Sequence, residues 1–208
     1  MSSRFGPRAA GTDGSDFHHR QKVAAHYRDS LTYKFRLKIL FGLHGMLAFL
    51  MSIKLFEDSL EWLGRPWSAL AWLHLPDANF WEYWWFCSLV PMVIGLNAMP
   101  KNREQHMRWC YYGLFAVGVM PLSVGMGHLL PELTGYIYNP RSETDLFMGK
   151  FPMIVLWFMF FFVALQVHGF AMYFAFKLVR LWQPVIAPAT AGKPAEESKS
   201  TEDMKKIQ

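Results

Sequence analysis

Apolar positions in this chain gather into four long runs instead of alternating with polar ones. The first, LKILFGLHGMLAFLMSIKLF, covers Leu37 to Phe56, and the second, FWEYWWFCSLVPMVIGLNAM, covers Phe80 to Met99. The third, WCYYGLFAVGVMPLSVGMGHLL, covers Trp109 to Leu130, and the fourth, FPMIVLWFMFFFVALQVHGFAMYFAF, covers Phe151 to Phe176. A helix crosses the hydrocarbon core of a bilayer in about 20 apolar residues, a length that every run reaches. A soluble helix so long would keep a polar face, yet the fourth run holds no Asp, Glu, Lys or Arg. The pattern predicts an all-α, polytopic membrane protein with four transmembrane helices at 37–56, 80–99, 109–130 and 151–176. The remainder divides into an N-terminal arm (1–36), loops at 57–79, 100–108 and 131–150, and a tail (177–208).

Charge around the runs sets the expected orientation. Arg20, Lys22, Arg28, Lys34, Arg36 and Lys38 lie at or before the start of the first run. The second loop adds Lys101, Arg103 and Arg108, and Lys177 and Arg180 follow the last run. The other two loops hold Arg65, Arg141 and Lys150 beside a set of acidic residues, a bias of eleven to three. Lysine and arginine near span ends mark the cytoplasmic face. Four spans put both termini on one side, so both are expected in the cytosol.

Composition changes this picture little. The 208 residues are 52% hydrophobic and 18% charged, with a mean hydropathy of only +0.10, as apolar blocks between charged segments require. A net charge of +5 raises nucleic acid as a partner. The basic residues flank apolar runs and build no soluble patch, so the partner they imply is the lipid bilayer. Two cysteines, Cys87 and Cys110, make no disulfide framework. Both are expected as free thiols, with Cys110, at the cytosolic opening of the third span, the more reactive. The polar, Gly-rich start has no signal-peptide core, and Ser2 excludes the myristoylation pattern. The first span is then its own uncleaved anchor.

Polar residues inside the runs are the functional candidates, because a polar group in hydrocarbon is costly. His44 lies near the start of the first run, and His168 near the end of the antiparallel fourth, with Gln166 close by in sequence. At about 1.5 Å per residue, both imidazoles come roughly 10–12 Å below the cytosolic boundary. No Asp or Glu shares that depth, so no metal site is expected, and helix-to-helix hydrogen bonding is the better reading. Gly42, Gly45, Ala48 and Ser52 form a small-residue stripe suited to close helix approach. Pro91 and Pro121 are expected to kink the middle spans. Lys54 and Glu82 come near the luminal edge, where a long side chain can snorkel outward.

Nucleophile, base and orienting group nowhere gather in sequence, so no catalytic residue and no cofactor is expected, and the chain reads as a non-enzyme. The rival is a small transporter or channel-like protein, which would show internal repeats and buried ionisable groups. The 57–79 loop and second run carry Trp62, Trp67, Trp72, Trp81, Trp84 and Trp85. These indoles suit a short luminal helix on the bilayer surface beginning near Pro66, ahead of an aromatic ligand cage. In the arm, Ser15 or Asp16 can cap a helix. Ala24, Tyr27, Leu31 and Phe35 recur at helical spacing among the basic residues. Two readings stay open: a helix at the headgroup level that turns into the first span, or a plain extension of that span.

The tail PVIAPATAGKPAEESKSTEDM is too rich in Pro, Ala, Ser and charge to fold alone. It ends KKIQ, with Lys206 and Lys205 at the third and fourth positions from the terminal carboxylate. That spacing resembles the dilysine retrieval signal of endoplasmic reticulum membrane proteins, which implies the coatomer coat as a partner. Two ammonium groups at set distances from a free carboxylate suit an acidic, carboxylate-binding pocket.

The arm, RFGPRAAGTDGSDFHHRQKVAAHY, continues through KFRLKILFGLHG, and the fourth run contains ALQVHGF. Together these segments resemble the jagunal proteins, most specifically in GPRAAGTDGSDF. The resemblance extends over nearly the whole chain in span number and order, and thins out in LEWLGRPWSALAWLHLPD and beyond Pro184. It implies a four-span reticulum protein that supports organelle organisation and vesicle traffic towards the Golgi, with reticulum or trafficking proteins as further partners.

Overall fold

A single helix, α1 (Asp16–Trp62), runs for 47 residues through the end of the arm and the whole first apolar run. At 1.5 Å per residue it is about 70 Å long. From Asp16 to Leu37 the sequence holds no Pro or Gly, and Ala24, Ala25, Leu31 and the Lys and Arg residues are good helix formers. No residue there breaks the helix, so the described part of the arm, from Asp16, continues into the span as one helix. The computed structural model describes residues 16–64, 75–139 and 144–183. The expected luminal helix beginning near Pro66, with Trp67 and Trp72, lies outside the described residues.

The second apolar run is broken into α2 (Phe80–Phe86) and α3 (Leu89–Ala98). Pro91 has no N–H to give to the Cys87 carbonyl and its ring crowds that group. The backbone responds with tighter bonds, from Cys87 N–H to the Trp84 carbonyl (3.1 Å) and from Val90 N–H to the Cys87 carbonyl (3.0 Å). The third run is one rod in three pieces: α4 (Glu104–Gly113), a π-helical stretch (Leu114–Val119) and α5 (Met120–Tyr138). Pro121, at the start of α5, cannot donate to the Val117 carbonyl, and the wider π turn comes just before it. The strands β1 (Leu146–Phe147) and β2 (Phe151–Pro152) pair antiparallel, Phe147 opposite Phe151, and lead into α6 (Met153–Trp182).

Three helical segments are each long and apolar enough to cross a membrane: Val23–Leu60, Glu104–Tyr138 and Met153–Trp182. Helix α6 packs along α1 on one side and the α4–α5 rod on the other, while α2 and α3 fill the space between α1 and that rod. The face that α1 turns inward is Leu37, Phe41, His44, Ala48, Met51 and Leu55, all buried. Spacings of four and three keep these residues on one stripe. Gly42 and Gly45 are each one position, about 100°, off that stripe. A Cβ on either would meet nothing within 4 Å. The expected small-residue seam on α1 is therefore not the packing seam, and only Ala48 of the four is buried. The close approach occurs on α3, where a Cβ at Gly95 would strike Cys110 Sγ and the Phe41 ring.

The core divides into two clusters. One, around Trp81, Trp85, Leu122, Trp157 and Phe161, lies towards the β1–β2 hairpin. The other, around Leu37, Phe41, Met99, Met107 and Leu178, lies towards the α3–α4 connection and the end of α6. The second end carries most of the Lys and Arg residues and is called the basic end below. Its packing buries Cys110 completely, whereas Cys87 is exposed, and both thiols are free. Cys87 is thus the thiol on the outer surface of the bundle and Cys110 the enclosed one, against the expectation that Cys110 is the more reactive.

Candidate functional site

Two polar layers cross the apolar bundle, about 15 Å apart along α1 if ten residues of helix separate them. The layer nearer the hairpin is an ion pair. Lys54 of α1 and Glu82 of α2 are 5% and 0% exposed. The Lys54 ammonium donates to Glu82 Oε1 at 2.7 Å and Oε2 at 2.6 Å, and to the Asp77 carbonyl at 3.2 Å. All three ammonium donors therefore have acceptors. Glu82 stands three residues after Asn79, so its carboxylate also reaches back to the start of its own helix. There Oε1 accepts from the Asn79 backbone N–H (3.0 Å) and side-chain amide (3.1 Å). The indole of Trp157 on α6 covers the ammonium at 4.9 Å from the ring centroid. A charge can be buried only when paired and hydrogen-bonded, and here the pairing is complete on both sides.

Lys54 and Glu82 therefore turn inward towards each other, and neither snorkels to the edge. Lys54, three residues after Met51, borders the buried stripe of α1, and the capping position of Glu82 on α2 faces it there. Next to the pair, Asp58 accepts from the Ala78 N–H at 3.0 Å and from the Tyr83 hydroxyl. This ties the far end of α1 to the start of α2.

The second layer contains His44 of α1 and His168 of α6, both 1% exposed, with ring centroids 4.6 Å apart. His44 Nε2 shares a hydrogen bond of 2.8 Å with Ser88 Oγ, and Ser88 lies at the α2–α3 break that Pro91 causes. His168 Nδ1–H donates to the Ala164 carbonyl at 2.7 Å. That assigns the hydrogen to Nδ1 and leaves Nε2, buried, with no partner among the described residues. The Trp85 ring lies 5.6 Å from His44 and 6.0 Å from His168, closing the layer. Gly118, inside the π-helical stretch, makes room for His168, since a Cβ there would collide with the imidazole. Gln166 does not join the layer. Two residues from His168 is about 200° around a helix, so Gln166 faces outward and is exposed.

The two layers clasp α1 to the α2–α3 break and to α6. Among the described residues, no three His, Cys, Asp or Glu side chains gather in a group able to hold a metal ion. Sequence reasoning paired the histidines in depth but missed Ser88 and Gly118, whose roles depend on a helix break and a π turn. The ion pair had a readable signal: one Lys and one Glu, each within an apolar run, with the Glu three residues after a capping Asn. Trp81 and Trp85, expected at the interface, are core residues at 3% and 0% exposure. Their indole nitrogens have no partner among the described residues.

The other expected residues lie outside these layers. Arg20, Arg28, Arg36 and Lys38 are exposed along α1. Lys34 is partly covered, 5.4 Å from the ring centroid of Trp182 at the end of α6. The Trp182 indole N–H donates to Ser30 at 3.1 Å, so α6 is tied to the extension of α1. The side chain of Lys22, and Lys205 and Lys206 with the whole tail from residue 184, lie outside the described residues.

Residues 1–186 match the family model described as "Jagunal, ER re-organisation during oogenesis". The chain is 42% identical over 187 residues to the protein jagunal homolog of Caenorhabditis elegans, covering 89% of this chain and 98% of that protein. It is 36% identical over 188 residues to protein jagunal of Drosophila melanogaster, covering 88% and 95%. To protein jagunal homolog 1 of Homo sapiens it is 31% identical over 182 residues, covering 88% and 94%.

Proposed function

The chain belongs to the jagunal family, and on that premise we propose that it is a four-span, non-enzymatic protein of the endoplasmic reticulum membrane. Its role is to support the organisation of that organelle and vesicle transport between reticulum and Golgi. The observation that carries the reading is the family match across residues 1–186, whose description names reticulum re-organisation. The organelle test is removal of the protein followed by imaging of the reticulum and timing of a secreted cargo. Normal reticulum shape together with normal cargo exit would overturn the role.

For the fourth crossing, α2 and α3 together extend from Phe80 to Ala98, about 28 Å at helical rise and close to the hydrocarbon thickness. At their break Pro91 and Ser88 are buried in protein, and burial in protein is one setting in which irregular backbone is tolerated at membrane depth. Four crossings and the bias of basic residues put both termini in the cytosol. Tags at both ends are then cleaved by protease once the plasma membrane alone is permeabilised; a protected tag at either end defeats the topology.

Lys205 and Lys206 serve, in this proposal, as a retrieval signal read by coatomer. Replacing both with Ser, or adding alanines after Gln208, removes either the charges or their spacing from the carboxylate. Both variants should escape to the Golgi and lose coatomer from pulldowns. Continued reticulum residence of both would remove the tail from the mechanism.

A second reading, a small transporter, is favoured by one observation: Lys54 and Glu82 are ionisable groups buried in the bundle, as ion-coupled transport uses. Reproducible ion flux in proteoliposomes that disappears in Glu82→Gln would support it, and no flux would remove it.

A further inference from the structure

At the basic end, α4 and α6 enclose a cleft of about 700 Å³ that neither the polar layers nor the proposed tail signal uses. Arg108, Tyr111 and Tyr112 line it from α4, and Phe176, Arg180 and Gln183 from α6. Its position is the apolar boundary of two helices. Arg108 immediately precedes the third apolar run, and Arg180 stands four residues beyond the end of the fourth. The two guanidinium groups therefore come at headgroup level, while the aromatic residues begin the hydrocarbon.

The two arginines are held differently. Arg108 is paired with Glu104 one turn earlier, Nη2 to Oε1 at 2.5 Å, and half its side chain remains exposed. Arg180 is exposed and stacks over Phe176 at 4.5 Å from the ring centroid, with no ion pair among the described residues. Stacking fixes a planar guanidinium and leaves its edge donors free for an anion, the geometry arginine uses for phosphate. The Tyr111 and Phe176 rings, 6.1 Å apart, join the two helices at the floor of the cleft. Tyr112 on its wall is 63% exposed, and Phe115 and Tyr173, about one helical turn deeper on the α4–α5 rod and on α6, are 48% and 50% exposed.

We propose that this cleft binds the headgroup of one anionic phospholipid, with Arg108 and Arg180 matching its uncompensated negative charge and the acyl chains along Tyr112, Phe115 and Phe176. Basic pockets between membrane helices at the cytoplasmic interface recognise lipid headgroups on this basis. The exposed aromatic residues beside the two arginines separate a lipid from a soluble phosphate compound, which would have no use for them. The inference rests on the membrane setting of α4–α5 and α6, and holds whether the bundle crosses three or four times.

The test is native mass spectrometry of the full chain extracted from vesicles of phosphatidylcholine and phosphatidylserine. The expected result is one phosphatidylserine retained in preference to phosphatidylcholine. The double substitution Arg108→Gln/Arg180→Gln should reduce that retention about thirtyfold, each basic group contributing roughly fivefold, the scale usual at a membrane surface. Arg180→Gln alone should reduce it part of the way, and it breaks no ion pair among the described residues. Lys101→Gln/Arg103→Gln removes the same charge from the same end without touching the cleft, and should leave retention unchanged. Equal loss in this control, or no lipid preference in the native chain, overturns the proposal. So does release of the lipid by inorganic phosphate or glycerol phosphate, which would make the ligand a soluble phosphate.

Discussion

Breaking the Lys54–Glu82 pair is expected to be the most damaging single polar change in the bundle. At an effective dielectric constant of about 20, two unit charges roughly 3 Å apart attract by about 5 kcal/mol. Desolvation costs several kcal/mol per ion, so the intact pair is worth little in net stability compared with a well-packed apolar replacement. Removing one partner is different, because the other charge stays behind at the same burial. Lys54→Met leaves the Glu82 carboxylate in a site where both Lys54 bonds, at 2.7 and 2.6 Å, have gone and only the Asn79 donors remain. Glu82→Leu leaves the ammonium with the Asp77 carbonyl and the Trp157 ring, and also removes the helix cap. Each single change should cost about 3–5 kcal/mol, with Glu82→Leu the larger by about 1 kcal/mol for the lost cap. The double change Lys54→Met/Glu82→Leu should cost less than either, since it leaves no charge unpaired. The assay is reversible unfolding in mixed micelles, read by tryptophan fluorescence and analysed as a double-mutant cycle. A coupling energy near zero, with the single costs simply adding, would refute the reasoning. It would mean that water or lipid phosphate reaches these charges and the pair is not sealed.

The histidine layer predicts coupling to a different partner from the one depth alone suggests. His44→Ala should cost on the order of 1 kcal/mol, as polar contacts between membrane helices do, and His44→Ala/Ser88→Ala should cost less than the sum of its singles. Additive costs in the same micelle assay would mean that the 2.8 Å bond is not made in solution. Gly118→Ala puts a methyl group into the His168 ring, and should destabilise by about 1–3 kcal/mol as overpacking does; an unchanged midpoint would show that the π-helical stretch yields freely. In detergent, N-ethylmaleimide should modify Cys87 before Cys110, and Cys110 only after unfolding, with no Cys87–Cys110 disulfide in peptide mass spectra. Rapid labelling of Cys110 in the folded protein would show that the α3–α4 crossing at Gly95 opens.

The membrane class, the family and the positions of the long helices were legible in the amino-acid sequence, because each rests on local composition. An apolar run long enough to cross a bilayer looks the same wherever its neighbours lie, and the motif GPRAAGTDGSDF is read residue by residue. Depth was legible too, which is why His44 and His168 could be brought to one level from their distances to the ends of their runs. Rotation about each helix axis was not legible. In an apolar run every face is apolar, so periodicity cannot say which face meets protein and which meets lipid. That is why Gly42, Gly45 and Gln166 were placed inside and face out, and why Lys54 and Glu82 were placed outward and face each other. Only the tertiary structure decided those angles. It did so through a few contacts that lock rotation: the Lys54–Glu82 pair, the Ser88 hydroxyl presented by the Pro91 break, and the gap at Gly118 that admits His168.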